Sequence, residues 1–217
     1  MSPESPWLWE SWAALCGATD TSRDVWSDLV RRWSEPHRRY HDLHHLLHVL
    51  TVVDELAREG DELRAVRLAA WFHDAVYDPR SADNETRSAD LAVAALDSLR
   101  LDADLVQRVR ELILMTERHD AGPQADRPRL LLHDADLAIL GVPAMHYLRY
   151  VNGVRAEYAH LSDDEFTKGR IAVLQEFSGR DQIYLLPEAR ERYEANARTN
   201  IAAELLVYRP GQPGPRP

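Results

Sequence analysis

The run Leu68-Ala69-Ala70-Trp71-Phe72 is apolar at every position and passes without a break into His73-Asp74. A carboxylate next to a segment that must be buried is costly unless it is paired, hydrogen-bonded or metal-bound. This junction therefore demands a partner for Asp74 elsewhere in the chain. Neighbouring helical residues project about 100° apart, so His73 and Asp74 reach one ion only if it sits beside their helix. The other ligands must then come from other helices. His45 fits on one side, because Leu46, Val49, Leu50 and Val53 continue its helix with a spacing that turns this face inward. His41, His45 and His48 fall at i, i+4 and i+7 and share that face, with His44 beside it. Each of His41, His44 and His48 also reads as a satisfied core or surface histidine. Asp134 and Asp136 follow later in the chain. A divalent cation at a catalytic centre takes imidazole and carboxylate ligands from different elements and keeps one position open for water. A His, a His-Asp pair and a later Asp make such a set.

The rest of the chain carries helical periodicity and no segment with strand alternation, so the expected class is all-α. Residues 7–34 read as two helices separated by Gly17 to Ser22, the second starting near Thr21 or Ser22 and stopped by Pro36. The tryptophans there read as packing residues. The His-rich helix is expected to run to Gly60, and the next from about Glu62 to Tyr77, broken by Asp78-Pro79. A further helix starts at Asp83-Asn84-Glu85 and ends near Arg100, and another runs from 103 to His119. Asp120 to Pro128 reads as a loop, 134–140 as a short helix closed by Gly141, and Pro143 as the opening of a long one. Ser162-Asp163-Asp164-Glu165 has the capping-box pattern for a helix to about Phe177, and Pro187 starts the last helix. One domain over 1–210 is expected, with a disordered Pro- and Gly-rich tail over 211–217.

The ordered set His45, His73-Asp74 and Asp136 resembles the signature of the HD superfamily of metal-dependent phosphohydrolases, an HD-domain-like helical bundle, here with additional N- and C-terminal helices. The likeness is closer to a bacterial subgroup of predicted HD phosphohydrolases. It rests on Arg39-Tyr40-His41, Phe72-His73-Asp74-Ala75-Val76-Tyr77-Asp78, Asp83-Asn84-Glu85, Asp134-Ala135-Asp136-Leu137 and Leu140-Gly141, and spans residues 30–205. The resemblance implies His45, His73, Asp74 and Asp136 as ligands of a divalent ion (Mn, Mg, Co, Ni, Fe or Zn). Asp134 then supports the ligands or caps its short helix.

Such an ion binds and acidifies water and polarises a phosphoryl oxygen, so hydrolysis of a phosphate ester or anhydride in a small molecule such as a nucleotide is the reaction implied. Asp78 lies four residues after Asp74, on the same face if that helix persists, and is a candidate for orienting the attacking water. In HD enzymes that hydrolyse alarmones an acidic pair ends at this offset; here its first member is replaced by Tyr77. Glu85 and His119 are the other catalytic candidates, each with a plainer reading as a charge at a helix end. Arg39 and Arg155 are the candidates for binding substrate phosphate, with Lys168 and Arg170 behind them. Two other readings stand beside hydrolysis. One is a metal-containing ligand sensor without turnover. The other is a di-iron HD-type oxygenase, which would need further histidines such as His41, His44 and His119.

A net charge of −10 argues against general nucleic-acid binding, while a metal and a local cation cluster can still hold a small phosphorylated substrate. No apolar run is long enough to cross a bilayer. Met1 to Pro6 shows neither the basic region nor the apolar core of a signal peptide. Cys16 is the single cysteine, which excludes an intramolecular disulfide and suits a cytoplasmic location.

Overall fold

The computed structural model describes residues 6–120, 122 and 125–208, and among these it is all-α, with no strand. The 211–217 tail lies outside the described residues. No helix among those described is long and apolar enough to cross a membrane. The chain divides into two compact units, Met1–Ala135 and Asp136–Pro217.

In the first unit, α1 (Pro6–Cys16) buries Leu8, Trp12 and Leu15, the i, i+4, i+7 stripe of one helical face. Its Trp12 Nε1 donates to Ser22 Oγ at 2.9 Å and so ties α1 to α2 (Asp20–Trp33). α2 begins earlier than expected because the Thr19 hydroxyl accepts from the Ser22 amide and caps it. α3 (Leu43–Leu56) is capped by Asp42, whose carboxylate accepts from the amides of His44 and His45. That cap leaves His41 outside the helix, so the expected i, i+4 relation of His41 to His45 does not form. α3 also stops short of Gly60, which lies in the following turn at φ +88.

α4 (Leu63–Phe72) ends immediately before His73-Asp74 rather than at Tyr77. Its residues Leu68 to Phe72 are all fully buried, and the Trp33 indole N–H donates to the Trp71 carbonyl at 2.9 Å. The helix stops because the next backbone groups find partners on α5 (Asn84–Ser98). The Val76 amide donates to Ser88 Oγ at 3.0 Å and the Asp78 amide to Asn84 Oδ1 at 3.0 Å. Against α5 and α4 packs α6 (Ala103–Met115), followed by a turn to His119 instead of continued helix. α7 (Arg127–Leu137) starts well before residue 134. Pro128, expected in a loop, sits in its first turn, where the missing N–H breaks no helical bond.

The second unit takes in the last residues of α7, a 3₁₀ turn (Ala138–Gly141), α8 (Ala144–Glu157) and α9 (Asp163–Gly179). It closes with α10 (Pro187–Ala189), a π-helical turn (Arg190–Glu194) and α11 (Ala195–Val207). The Ser162–Glu165 capping box forms as the sequence leads one to expect. Gly141 is required by contact: a Cβ there would lie 2.6 Å from both Cβ and the carbonyl oxygen of Tyr193. Backbone cannot rotate away as a side-chain end can, so Gly141→Ala is expected to cost about 1–3 kcal/mol in chemical denaturation. An unchanged unfolding midpoint would show that the two segments separate freely.

Candidate metal centre

His45 comes from the first turn of α3, its face set by the Asp42 cap and by Leu46, Val49 and Val53 beneath it. His73 is the C-cap of α4 and keeps helical backbone angles, so the end of a fully buried helix holds it rigidly. Both imidazoles are buried, at 4% and 1% exposure. Asp136 is the penultimate residue of α7, a continuous helix whose preceding residues belong to the first unit. One donor atom from each of His45, His73 and Asp136 lies within 4.8 Å of the others, a buried cluster that can hold a metal ion. As a whole residue Asp136 is half-buried, although its ligand atom belongs to that cluster.

The distances from His73 suit neighbouring ligands of one ion, and the one between His45 and Asp74 is longer. His45 Nε2 and His73 Nε2 are 3.2 Å apart, and Asp74 Oδ2 is 3.3 Å from His73 Nε2 and 3.8 Å from His45 Nε2. Ligand bonds of roughly 2.0–2.2 Å place neighbouring donors roughly 3.0–3.6 Å apart. The protonation pattern fits as well. His73 Nδ1 is 2.8 Å from the Ala70 carbonyl, which can only accept, so Nδ1 carries the proton and Nε2 presents its lone pair to the cluster. The Trp33 ring packs against both imidazoles, with centroids 5.5 Å from His73 and 6.2 Å from His45.

Arg38, which the sequence did not single out, locks the segment after His73. Its side chain is fully buried and donates to the carbonyls of His41 at 2.9 Å, Asp74 at 2.8 Å and Ala75 at 3.2 Å, with Glu35 as its carboxylate partner. It thus ties the entry to α3 to the turn that presents Asp74. Nothing in residue type separates it from Arg39, which is exposed.

Of the catalytic candidates, Glu85 lies within electrostatic reach of both Asp74 and His119. Burial pushes the Glu85 carboxyl above the usual carboxylate range; its own backbone N–H opposes this, the charges of Asp74 and Glu117 add to it, and His119 opposes it. Because the folded value is raised, Glu85 favours folding below its ordinary pKa, and that contribution is lost as pH rises through the folded value. Glu85→Gln is therefore expected to raise the melting temperature of metal-free protein at pH 8 and to bring less gain at pH 4. An equal effect at both values would contradict the burial of this carboxyl.

Asp78 is placed differently. The premise that it shares a helical face with Asp74 fails, since α4 ends at Phe72, and Asp78 is exposed, with Oδ1 accepting from the Arg80 amide at 2.9 Å. Arg155 spends its guanidinium in the second unit, on the carbonyls of Tyr158 and Leu161 and on Asp163. Arg170 is buried against Glu204, and Lys168 is exposed. His44 turns outward to Asp42 with its side chain 75% exposed. His41 stays close, edge-on to His45 at 5.7 Å and stacked on Tyr77 at 4.3 Å. Asp134, with no exposed surface, lies inside α7 rather than at its N-cap and pairs with His133 at 2.8 Å. His133 was also missed. The available signal was a second His-Asp dipeptide behind an apolar run, Leu130-Leu131-Leu132-His133-Asp134.

Comparison of the chain with protein-family models, with curated proteins and with solved structures finds no match in any of the three.

Proposed function

We propose that this chain is a metal-dependent phosphohydrolase of the HD type, acting on a phosphate ester or anhydride in a small molecule. The observation that carries the reading is the buried convergence of His45, His73 and Asp136, with Asp74 3.3 Å from His73. A mixed set of two imidazoles and two carboxylates suits a divalent transition ion, and it comes in the order that the HD signature requires. When bound, such an ion supplies Lewis acidity and an acidified water.

The chain's own residues do the rest. Ala70 holds His73 in the tautomer that can ligate. Arg38 holds the Asp74 carbonyl and so the placing of that carboxylate. Glu85, its carboxyl raised by burial, is the group fitted to keep or pass a proton near Asp74. His119 lies within electrostatic reach of Glu85 and is the imidazole available to a phosphate oxygen.

The test is a phosphate-release screen on purified, metal-stripped protein with Mn, Mg, Co, Ni, Fe or Zn restored singly. Release from at least one phosphate compound, dependent on an added ion, is expected. Stoichiometric metal binding with no turnover on any compound would replace the hydrolase with a metal-containing sensor.

A further inference from the structure

A second buried His-Asp pair, His133-Asp134, stands outside the ligand set. His133 is 1% exposed and Asp134 0%. His133 Nδ1 is 2.8 Å from Asp134 Oδ1, and its Nε2 is 3.1 Å from the carbonyl oxygen of His119. A carbonyl only accepts, so Nε2 donates to it, and the contact of Nδ1 with the Asp134 carboxylate holds the ring in that orientation.

What this pair grips is a strained residue. His119 has φ +46, the left-handed region, which a residue with a Cβ adopts at a cost and keeps where its surroundings hold it. It ends the turn that follows α6, and its ring lies edge-on to that of His133 at 6.1 Å. His133 therefore touches both the backbone and the ring of His119. The same ring is within electrostatic reach of Glu85, which in turn feels Asp74.

We propose that His133 and Asp134 are positioning residues that set His119 at the rim of the metal centre, so that its imidazole meets the phosphate of the substrate. This rests on the hydrolase reading for its substrate but not for its geometry. His119 is the group that touches substrate; His133 acts through His119, and Asp134 through His133.

The experiment compares His119→Ala, His133→Phe, the double variant and Asp134→Asn in the metal-loaded full chain. His133→Phe is expected to lower kcat about 10²-fold, the lower end of what a positioned proton-transfer group contributes, with KM and metal content unchanged. In the His119→Ala background the same change is expected to have no further effect. Asp134→Asn should retain most of kcat, because its carboxamide NH₂ donates to Nδ1 and leaves the Nε2–H on the His119 carbonyl. An equal loss from His133→Phe in both backgrounds would overturn the proposal, since a purely structural role does not depend on His119. Should the Phe variant unfold, His133→Gln, which reaches one acceptor at a time, is expected to give the same pattern at smaller size. A second readout needs no turnover: the backbone chemical shifts of His119 report its left-handed conformation, expected to be lost in the Phe or Gln variant and kept in Asp134→Asn. If no phosphate compound is hydrolysed, the hydrolase reading fails, and retention of the left-handed shifts without His133 would overturn the positioning claim by itself.

Discussion

His73→Ala is expected to lose bound metal and phosphate release together. Removing a group that only orients a ligand already costs about 10–100-fold in metal affinity, and His73 would be a ligand, at the centre of the cluster. Its Nε2 is 3.2 Å from His45 Nε2 and 3.3 Å from Asp74 Oδ2. The loss of affinity is therefore expected to exceed about 100-fold, read as metal per chain after dialysis, with hydrolysis falling in parallel. Fold should survive, because α4 is held by Leu68 to Phe72 and by the Trp33–Trp71 bond, none of which involves the imidazole. A variant that keeps its metal and its rate would remove His73 from the site.

The largest effect on stability is expected at the other end of the chain. Arg170 on α9 and Glu204 on α11 form a two-bond ion pair, at 2.8 and 3.0 Å, with each residue 7% exposed. Tyr147 donates to the same carboxylate at 2.5 Å, Tyr208 at 3.2 Å, and Arg170 donates to the Tyr150 hydroxyl at 2.8 Å. Burial, followed by the Glu204 charge, drives the Tyr147 phenol upward, so it stays a donor. Arg170→Met leaves a buried carboxylate without its cation and is expected to cost about 3–5 kcal/mol in denaturant unfolding. The double variant Arg170→Met, Glu204→Met removes both charges and should recover most of that loss. A single variant that costs under about 1 kcal/mol, the level of an exposed pair, would mean that the network is solvated.

The helices were legible where one local device decides them. Glu165 three residues after Ser162 names its own N-terminus, and Asn84 opens α5 where the acidic-polar cluster places it. The ends that shifted were decided by partners distant in sequence. α4 stops at Phe72 because Ser88 and Asn84 take the amides of Val76 and Asp78, which periodicity along 62–77 cannot reveal. The start of α3 was readable in principle, since Asp42 is a good N-cap three residues before His45, but the histidine spacing through His41 outweighed it. Likewise Pro128 reads as a loop residue beside Gly122 and Pro123, although proline also favours a first helical turn.

At the candidate site, ligand chemistry made His45, His73 and a later Asp visible, because few residue types bind a divalent ion, and the resemblance to the HD signature pointed to Asp136 rather than Asp134. Arg38 and His133 stayed hidden because they act on backbone carbonyls, and a carbonyl leaves no mark in the sequence of the residue that carries it. Asp78 shows the reverse error. Its four-residue offset from Asp74 had meaning only within one continuous helix, and the turn after Phe72 removes it.

The measurement that bears most directly on the central claim is a crystal structure of manganese-soaked protein with the ion located by its anomalous signal. One ion is predicted per chain, bonded to Nε2 of His45, Nε2 of His73 and carboxylate oxygens of Asp74 and Asp136, at roughly 2.0–2.3 Å. An ion held elsewhere, or no ordered ion while His45 and His73 keep their 3.2 Å contact, would contradict the metal centre and with it the proposed hydrolase.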